Sequence, residues 1–137
     1  MPDRPLRLGC QELLTGGVKS IVLKMGAKGS LFVTEDEEQF ELAFDLLGYK
    51  VFDTTGAGDC FDAGFLDGRL IGLPSSESMV LGNATAYCMI TSRCGMEGLR
   101  HQRSLNAVLL NMIQADRGIH ADYPVSRLVS ILGSKRP

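Results

Sequence analysis

The sequence lacks the features that mark membrane, secreted and nucleic-acid-binding proteins. No apolar run reaches the roughly 18 residues needed to span a bilayer, and the N-terminal stretch Met1–Pro5 has no signal-peptide core. Basic residues are not in excess, since 14 Lys and Arg stand against 16 Asp and Glu, for a formal net charge of -2. Such a chain has no overall positive field to attract nucleic acid or anionic membrane. We therefore expect a cytoplasmic protein that binds neither.

Disulfide and zinc patterns are also missing. The chain has no C-x-x-C pair and no Cys/His spacing that suits zinc. We interpret the cysteines as reduced, mostly buried thiols of a cytoplasmic protein. His101 and His120 have no neighbouring cluster of ligands, so we interpret both as surface histidines. The four cysteines are Cys10, Cys60, Cys88 and Cys94.

What the chain does contain is typical of one globular domain. It has 137 residues, of which 45% are hydrophobic and 22% charged, so it can bury a core without disulfides. It shows no internal repeat and no linker. We therefore predict a single domain over residues 1–137.

The first third of the chain predicts one helix and a hairpin. A partial leucine stripe over 6–16 indicates a helix that ends at Gly16-Gly17. Two apolar runs, Ser20–Lys24 and Ser30–Thr34, read as strands, and the glycine bend Met25–Gly29 joins them.

The next segment is harder to interpret. The acidic stretch Glu35–Glu38 is typical of a solvated loop tip, although an acidic partner site is the alternative. Residues 39–47 fit a strand or a helix. Tyr49–Phe52 is predicted to be a short strand that leads into the segment Asp53–Asp59.

The second half predicts mainly helices. The first runs from the Asp53–Asp59 segment to Gly68 or Gly72, and Ser75 or Ser76 is predicted to cap the next, whose apolar body is Met79–Thr91. Further helices are predicted over 104–116 and 123–132, with a frayed tail over 133–137. Small and aromatic residues on the first helix predict close packing against a neighbour: Ala57, Cys60, Phe61, Gly64 and Phe65. Strands followed by helices indicate an α/β layer architecture.

The segment Asp53–Asp59 carries the clearest chemistry. A Gly-Ala-Gly bend entering a helix exposes N–H groups where the helix dipole favours an anion such as phosphate. Asp59 places a carboxylate beside those donors. Phosphoryl transfer to an alcohol needs both, because amides hold the phosphate and a base takes the hydroxyl proton. The alternative is that Asp53 and Asp59 serve only as turn and cap residues.

Asp53–Asp59 followed by Ala63–Leu66 resembles the C-terminal signature of the ribokinase-like (PfkB) carbohydrate kinases. The resemblance implies the C-terminal part of a ribokinase-like α/β/α fold and ATP-dependent phosphorylation of a sugar or related hydroxyl, with Mg²⁺. It also implies that Asp59 is the catalytic base. The anion hole would be formed by the amides of Gly56, Ala57 and Gly58.

The same resemblance extends to the flanking segments. Val22–Ser30 is similar to the family's nucleotide-side strand and glycine turn, although a plain hairpin turn is the alternative. Asn83 and Ala84 match residues that border the adenine in many relatives. A monovalent cation such as K⁺ would lie near Asp53, Thr55 and Gly95. The residues implied in the ATP wall are Lys24, Gly26, Ala27, Lys28 and Gly29.

The family's sugar pocket and its Asn-x-x-Glu element are missing, since no Asn-x-x-Glu occurs in these residues. We therefore expect the nucleotide-binding and catalytic part of a sugar kinase, inactive alone, whose partners are ATP, a small sugar-like substrate and either a missing N-terminal half or a second copy. The alternatives are a noncatalytic interaction or regulatory module that pairs through its sheet edge, and a nucleoside kinase fragment. The sequence leaves the phosphorylated compound open.

Overall fold

The computed structural model describes residues 3–44, 50–92 and 130–131. In these ranges a three-stranded antiparallel sheet has helices packed on both faces. Short strands followed by helices confirm the predicted α/β class. The elements are α1 (Arg4–Thr15), β1 (Ile21–Lys24), β2 (Ser30–Val33), β3 (Glu38–Glu41), α2 (Ala57–Leu70) and α3 (Ser75–Thr91).

Helix α1 has sequence signals at both ends. The Leu6 N–H donates to the Asp3 carboxylate at 3.2 Å, which satisfies one of the unpaired donors of the first turn. Pro5 lies in that turn, where its missing N–H costs nothing. Gly16 is the C-cap residue, which confirms the predicted end of the helix.

The sheet has the order β1-β2-β3. The β1–β2 pair is the predicted hairpin, with Ile21 opposite Val33 and Lys24 opposite Ser30. Strand β3 pairs with the other edge of β2. Residues 39–47, whose sequence fits either a strand or a helix, therefore begin as a strand.

Alternate residues of β2 point to different layers. Leu31 and Val33 pack with Cys10 and Leu14 of α1. Phe32 packs on the opposite face with residues of α2 and α3. On β1, Val22 also packs on the face that α2 and α3 cover. Lys24, two residues further along the strand, therefore points toward α2.

Glycines let α2 and α3 approach closely. A Cβ added at Gly68 would lie 2.8 Å from the Ser78 hydroxyl, and one at Gly82 would lie 2.8 Å from the Phe61 ring. A Cβ at Gly64 would lie 2.7 Å from the Leu81 carbonyl oxygen. These distances confirm that small residues on α2 permit close packing against a neighbour.

Two local predictions are wrong. Residues 50–52 have no regular secondary structure, because the Phe52 N–H donates to the Ile90 carbonyl of α3 at 2.9 Å and does not join the sheet. Helix α3 is capped by Pro74 without a side-chain hydrogen bond. Ser75 is already helical, and its hydroxyl donates to Glu37 at 2.9 Å.

The acidic segment Glu35–Glu38 is exposed, as a solvated tip should be. Two of its carboxylates nevertheless have partners. Glu37 accepts the hydrogen bond from Ser75, and Glu38 forms an ion pair with Arg7 at 2.8 Å. The tip is therefore tied to both α1 and α3, a connection that the charge pattern does not reveal.

Cys10, Cys60 and Cys88 are buried and not disulfide-bonded, as predicted. Among the described helices, none combines the length and the apolar character needed to cross a membrane. Residues 130 and 131, within the predicted helix at 123–132, are helical. Other predictions concern residues outside the described ranges: the helix at 104–116, the rest of the helix at 123–132, the tail at 133–137, Cys94, His101 and His120.

Candidate functional site

The segment Asp53–Gly58, called the motif bend below, is a turn stacked on a helix start. The Thr55 N–H donates to the Asp53 carboxylate at 2.8 Å, and the Ala57 N–H donates to the Thr54 carbonyl at 3.1 Å. Gly56 then takes a left-handed conformation, with φ of 86° and ψ of 0°, as the N-cap of α2. Glycine adopts this conformation with little strain, which explains its position in the motif.

Unpaired backbone donors remain at this helix start. Within the described part of the chain, the N–H groups of Gly56 and Gly58 have no hydrogen-bond acceptor. The first helical bond runs from the Cys60 N–H to the Gly56 carbonyl at 2.9 Å. Free donors at the N-terminus of a 14-residue helix form a favourable environment for a phosphate. Ala57 differs, because its N–H already donates to Thr54.

Asp59 lies in the first turn of α2 and is exposed. Its carboxylate makes no hydrogen bond or ion pair with any described residue. It does act on its neighbour: burial, and then the negative charge of Asp59, raise the pKa of the Cys60 thiol. An exposed carboxylate without a partner is available to a substrate hydroxyl.

Asp53 is also exposed but is held in place. The hydrogen bonds from the Thr55 backbone and side chain lower the pKa of the Asp53 carboxyl, so it stays ionised. The bend thus presents a fixed negative charge at one end. The predicted cation site combines Asp53 and Thr55 with Gly95, which lies outside the described residues.

Lys24 reaches the motif bend from the end of β1. Its Nζ lies 2.9 and 2.8 Å from the two carboxylate oxygens of Asp62 and 3.3 Å from the Gly58 carbonyl. Asp62 was missed by sequence reasoning. The available signals were its place one turn after Asp59 on the helix and the strand alternation that directs Lys24 toward α2.

The segment Met25–Gly29, called the hairpin turn below, is internally bonded. The Met25 N–H donates to the Gly29 carbonyl at 2.9 Å, and the Lys28 and Gly29 N–H groups donate to Met25 and Gly26 at 3.2 and 3.1 Å. Gly26, Ala27 and Lys28 form an exposed 3₁₀ turn, whereas Gly29 is buried. No described contact joins this turn to the motif bend, and its predicted place in an ATP wall stays a prediction.

Asn83 and Ala84 lie on α3. The Asn83 side-chain amide donates to the Leu42 carbonyl at 3.1 Å, which ties the helix to the end of β3. Ala84 is 0% exposed. Within the described contacts neither residue touches the motif bend, and their predicted contact with adenine stays a prediction.

A separate groove of about 670 Å³ lies between α1 and the turn that joins β2 to β3. Its walls include Leu14, Leu31 and the acidic segment Glu35–Glu38. None of the predicted site residues lines it. Within residues 3–44 and 50–92, no group of three or more His, Cys, Asp or Glu is arranged to hold a metal ion.

A family model covers the part of the chain that carries the motif bend. The model of the pfkB family of carbohydrate kinases matches residues 9–101, which is more than half of the chain. The chain belongs to this family. The match includes β1, the hairpin turn, the motif bend and both helices that follow it.

Curated relatives of this pfkB-family chain include kinases of archaea. It is 36% identical over 93 residues to an uncharacterized sugar kinase of Archaeoglobus fulgidus, covering 68% of this chain and 36% of the relative. It is 38% identical over 90 residues to a 1-phosphofructokinase of Haloferax volcanii, covering 66% of this chain and 27% of the relative. The pfkB-family chain therefore spans only about a third or less of these relatives.

The fold of the pfkB-family chain also matches a solved kinase. An Arabidopsis thaliana ribokinase complexed with ribose and ATP gives a TM-score of 0.63 at 26% identity, covering 77% of this chain and 32% of the ribokinase. This match confirms the predicted ribokinase-like fold.

Proposed function

We propose that this chain is the nucleotide-binding and catalytic part of a kinase that transfers a phosphoryl group from ATP to a sugar hydroxyl. The observation that carries the proposal is the motif bend at the start of α2, where the Gly56 and Gly58 N–H groups and the Asp59 carboxylate have no hydrogen-bond partner among the described residues. Family membership and the likeness to a ribokinase complexed with ribose and ATP support ATP and a sugar as the reactants.

In this proposal the transferring phosphate lies at the N-terminus of α2. The N–H groups of Gly56 and Gly58 donate to it directly, because neither has an acceptor among the described residues. The Ala57 N–H takes part by sharing its bond to Thr54. Together with the helix dipole, these donors stabilise the charge that builds on the phosphoryl group.

Asp59 acts as the general base. A sugar hydroxyl placed between Asp59 and the phosphate transfers its proton to the carboxylate as its oxygen attacks the γ-phosphorus of ATP. The bond from that phosphorus to the bridging oxygen breaks, and ADP leaves with the electron pair. The carboxylate is exposed, and no residue in the described part of the chain would have to be displaced from it first. This arrangement explains why an acid is tolerated next to an anion site.

The described residues fit ATP phosphate better than they fit metal ions. Mg²⁺ prefers several oxygen ligands, and the described ranges hold no cluster of three or more acidic or histidine side chains. Asp53 offers one carboxylate toward a K⁺-like ion, with Oδ1 already accepting from Thr55. We therefore assign no reaction step to either ion.

We further propose that the sugar pocket is formed by residues outside these 137. The chain covers 36% and 27% of the curated relatives, and it contains no Asn-x-x-Glu. On this proposal the chain binds ATP by itself, but it phosphorylates sugars poorly without those other residues.

The test measures two quantities on the purified chain: ATP affinity by calorimetry, and ADP formation with ketoses, aldoses, sugar phosphates and sugar acids. In a complete kinase that contains this chain, Asp59→Asn should keep ATP affinity near that of the parent and lower turnover by about 10²- to 10⁴-fold, because it removes the base and keeps the amides. Asp67→Asn, which removes the same charge two turns later on α2, is the matched control. Equal turnover by Asp59→Asn and the parent would remove Asp59 from the base role.

One observation favours a second function. Among the described strands, β1 pairs on only one side, and Ile21, Val22 and Leu23 on it are only half-buried. An open strand edge can pair with another chain. A purified chain that shows no calorimetric heat with ATP, and that forms a complex through β1, would favour the interaction module over the kinase.

A further inference from the structure

The ion pair between Lys24 and Asp62 lies beside the motif bend. Lys24 Nζ contacts both carboxylate oxygens of Asp62, at 2.9 and 2.8 Å, and the carbonyl of Gly58, at 3.3 Å. The same Nζ lies 6.0 Å from the centre of the Phe61 ring. One lysine from the sheet therefore contacts three residues of the first turns of α2.

The pair does little for the stability of the fold. The side chains of Lys24 and Asp62 are 39% and 52% exposed, and ion pairs as exposed as this one contribute little to folding. Its position suggests a different role. Asp62 lies three residues after Asp59, so the two carboxylates are neighbours on one side of α2, with about 5 to 6 Å between their Cβ atoms.

The charge on Asp62 is also close to the proposed phosphate site. Asp62 is the fourth residue after Gly58 on the helix, a rise of roughly 6 Å along the axis. That is shorter than the Debye length of about 8 Å at physiological ionic strength, so solvent ions screen it incompletely. An uncompensated Asp62 would repel a nucleotide that carries several negative charges.

We propose that Lys24 is a positioning residue that acts through Asp62: it neutralises this carboxylate and fixes the start of α2, so that the amides of the motif bend meet a polyanion without the added negative charge of Asp62. The inference rests on the function proposed above. It differs from a direct role for Lys24 as a phosphate ligand, because Nζ is already engaged by Asp62 and Gly58.

The experiment is a double-mutant cycle on the full 137-residue chain, with ATP and adenosine affinities measured by calorimetry. Lys24→Met should weaken ATP binding by about three- to tenfold, as expected for one exposed carboxylate left unpaired within a Debye length of the phosphates. Adenosine carries no phosphate, so its affinity should not change. Lys24→Met combined with Asp62→Asn should return ATP affinity to near the parent value.

Three further measurements serve as controls for this cycle. Lys19→Met removes the same charge from an exposed position before β1 and should leave ATP affinity close to that of the parent. Asp62→Asn alone should tighten ATP binding, and this arm does not depend on how well Lys24→Met folds. The loss caused by Lys24→Met should also shrink as salt is raised from low to high ionic strength.

Any different outcome overturns the inference, and each outcome points to a different explanation. If the double variant stays as weak as Lys24→Met, Lys24 contacts the nucleotide itself. If Lys24→Met matches Lys19→Met, or if Asp62→Asn does not tighten ATP binding, the pair has no role in nucleotide affinity. A parent chain that binds no ATP overturns the inference together with the proposed function, whereas the other results leave that function in place.

Discussion

The hairpin turn and the motif bend both contain glycines, but they differ in whether their backbone N–H groups are hydrogen-bonded. In the hairpin turn, the N–H groups of Met25, Lys28 and Gly29 all donate to carbonyls of the same turn. In the motif bend, those of Gly56 and Gly58 find no acceptor within the described chain. One turn uses its donors to close a loop, and the other leaves them available for a ligand.

The two turns also differ in why glycine is needed. At Gly29, φ is 108° and ψ is -146°, and a Cβ would overlap the Glu41 carbonyl oxygen of β3. This glycine is required by the packing of the sheet. At Gly58, a Cβ would meet only the end of the Lys24 side chain at 3.4 Å, and φ is not positive. The need for glycine at Gly58 therefore does not come from the fold alone.

The largest stability effect should come from the hairpin turn. Gly29→Ala should lower the free energy of unfolding by about 3 kcal/mol or more, because it combines a backbone conformation found almost only in glycine with a steric overlap. Gly26→Ala is the matched control in the same turn, since φ is 57° and a Cβ there would meet nothing within 4 Å. It should cost only about 1 kcal/mol. Urea denaturation followed by circular dichroism measures both.

Equal losses for Gly29→Ala and Gly26→Ala would contradict this account. They would mean that β3 moves away from the turn at little cost. The packing of the sheet would then not require glycine at position 29.

A smaller effect is expected at the motif bend. Gly56→Ala should lower the free energy of unfolding by about 1 to 2 kcal/mol, because Ala is strained at a φ of 86°. Gly58→Ala should leave it unchanged or raise it by up to about 1 kcal/mol, since Ala is the better helix former. Thermal unfolding of the parent and both variants measures the difference. A loss at Gly58 as large as that at Gly56 would show that the fold needs both glycines.

The sequence was sufficient to predict the elements with strong local signals. The end of α1 at Gly16, the β1–β2 hairpin and the close packing of α2 against a neighbouring element all follow from glycine positions and apolar spacing. That the neighbour is α3 comes from the structure. The motif Asp53–Asp59 together with Ala63–Leu66 was sufficient to identify the family, because its residues lie close together in the sequence.

What the sequence did not predict depends on contacts between distant residues. The segment Tyr49–Phe52 is predicted to be a strand, yet the Phe52 N–H bonds to Ile90 of α3. Ser75 has the composition of a cap, yet it bonds to Glu37 on the β2–β3 turn. Asp62 is unremarkable within α2 until Lys24 is placed beside it. In each case the partner is more than 35 residues away in the chain, beyond the reach of local patterns.

The smallest expected effect concerns the charge at the start of the motif bend. Hydrogen bonds from Thr55 lower the pKa of the Asp53 carboxyl in the folded chain. A carboxyl whose pKa is lower when folded stabilises the fold fully above its unfolded pKa of about 3.9, and this contribution disappears as the pH falls through the folded value.

Asp53→Asn keeps an oxygen that accepts from Thr55 but cannot ionise. The variant should therefore be slightly less stable than the parent at pH 6, and the difference should disappear as the pH falls through the folded pKa of Asp53, as measured by urea denaturation across the acid range. Asp36→Asn, in the exposed turn after β2, controls for the loss of one negative charge. The difference in the free energy of unfolding between Asp53→Asn and the parent could instead stay constant with pH. That result would show that the hydrogen bonds from Thr55 do not depend on the charge of Asp53. The motif bend would then be stabilised by neutral hydrogen bonds, as the hairpin turn is.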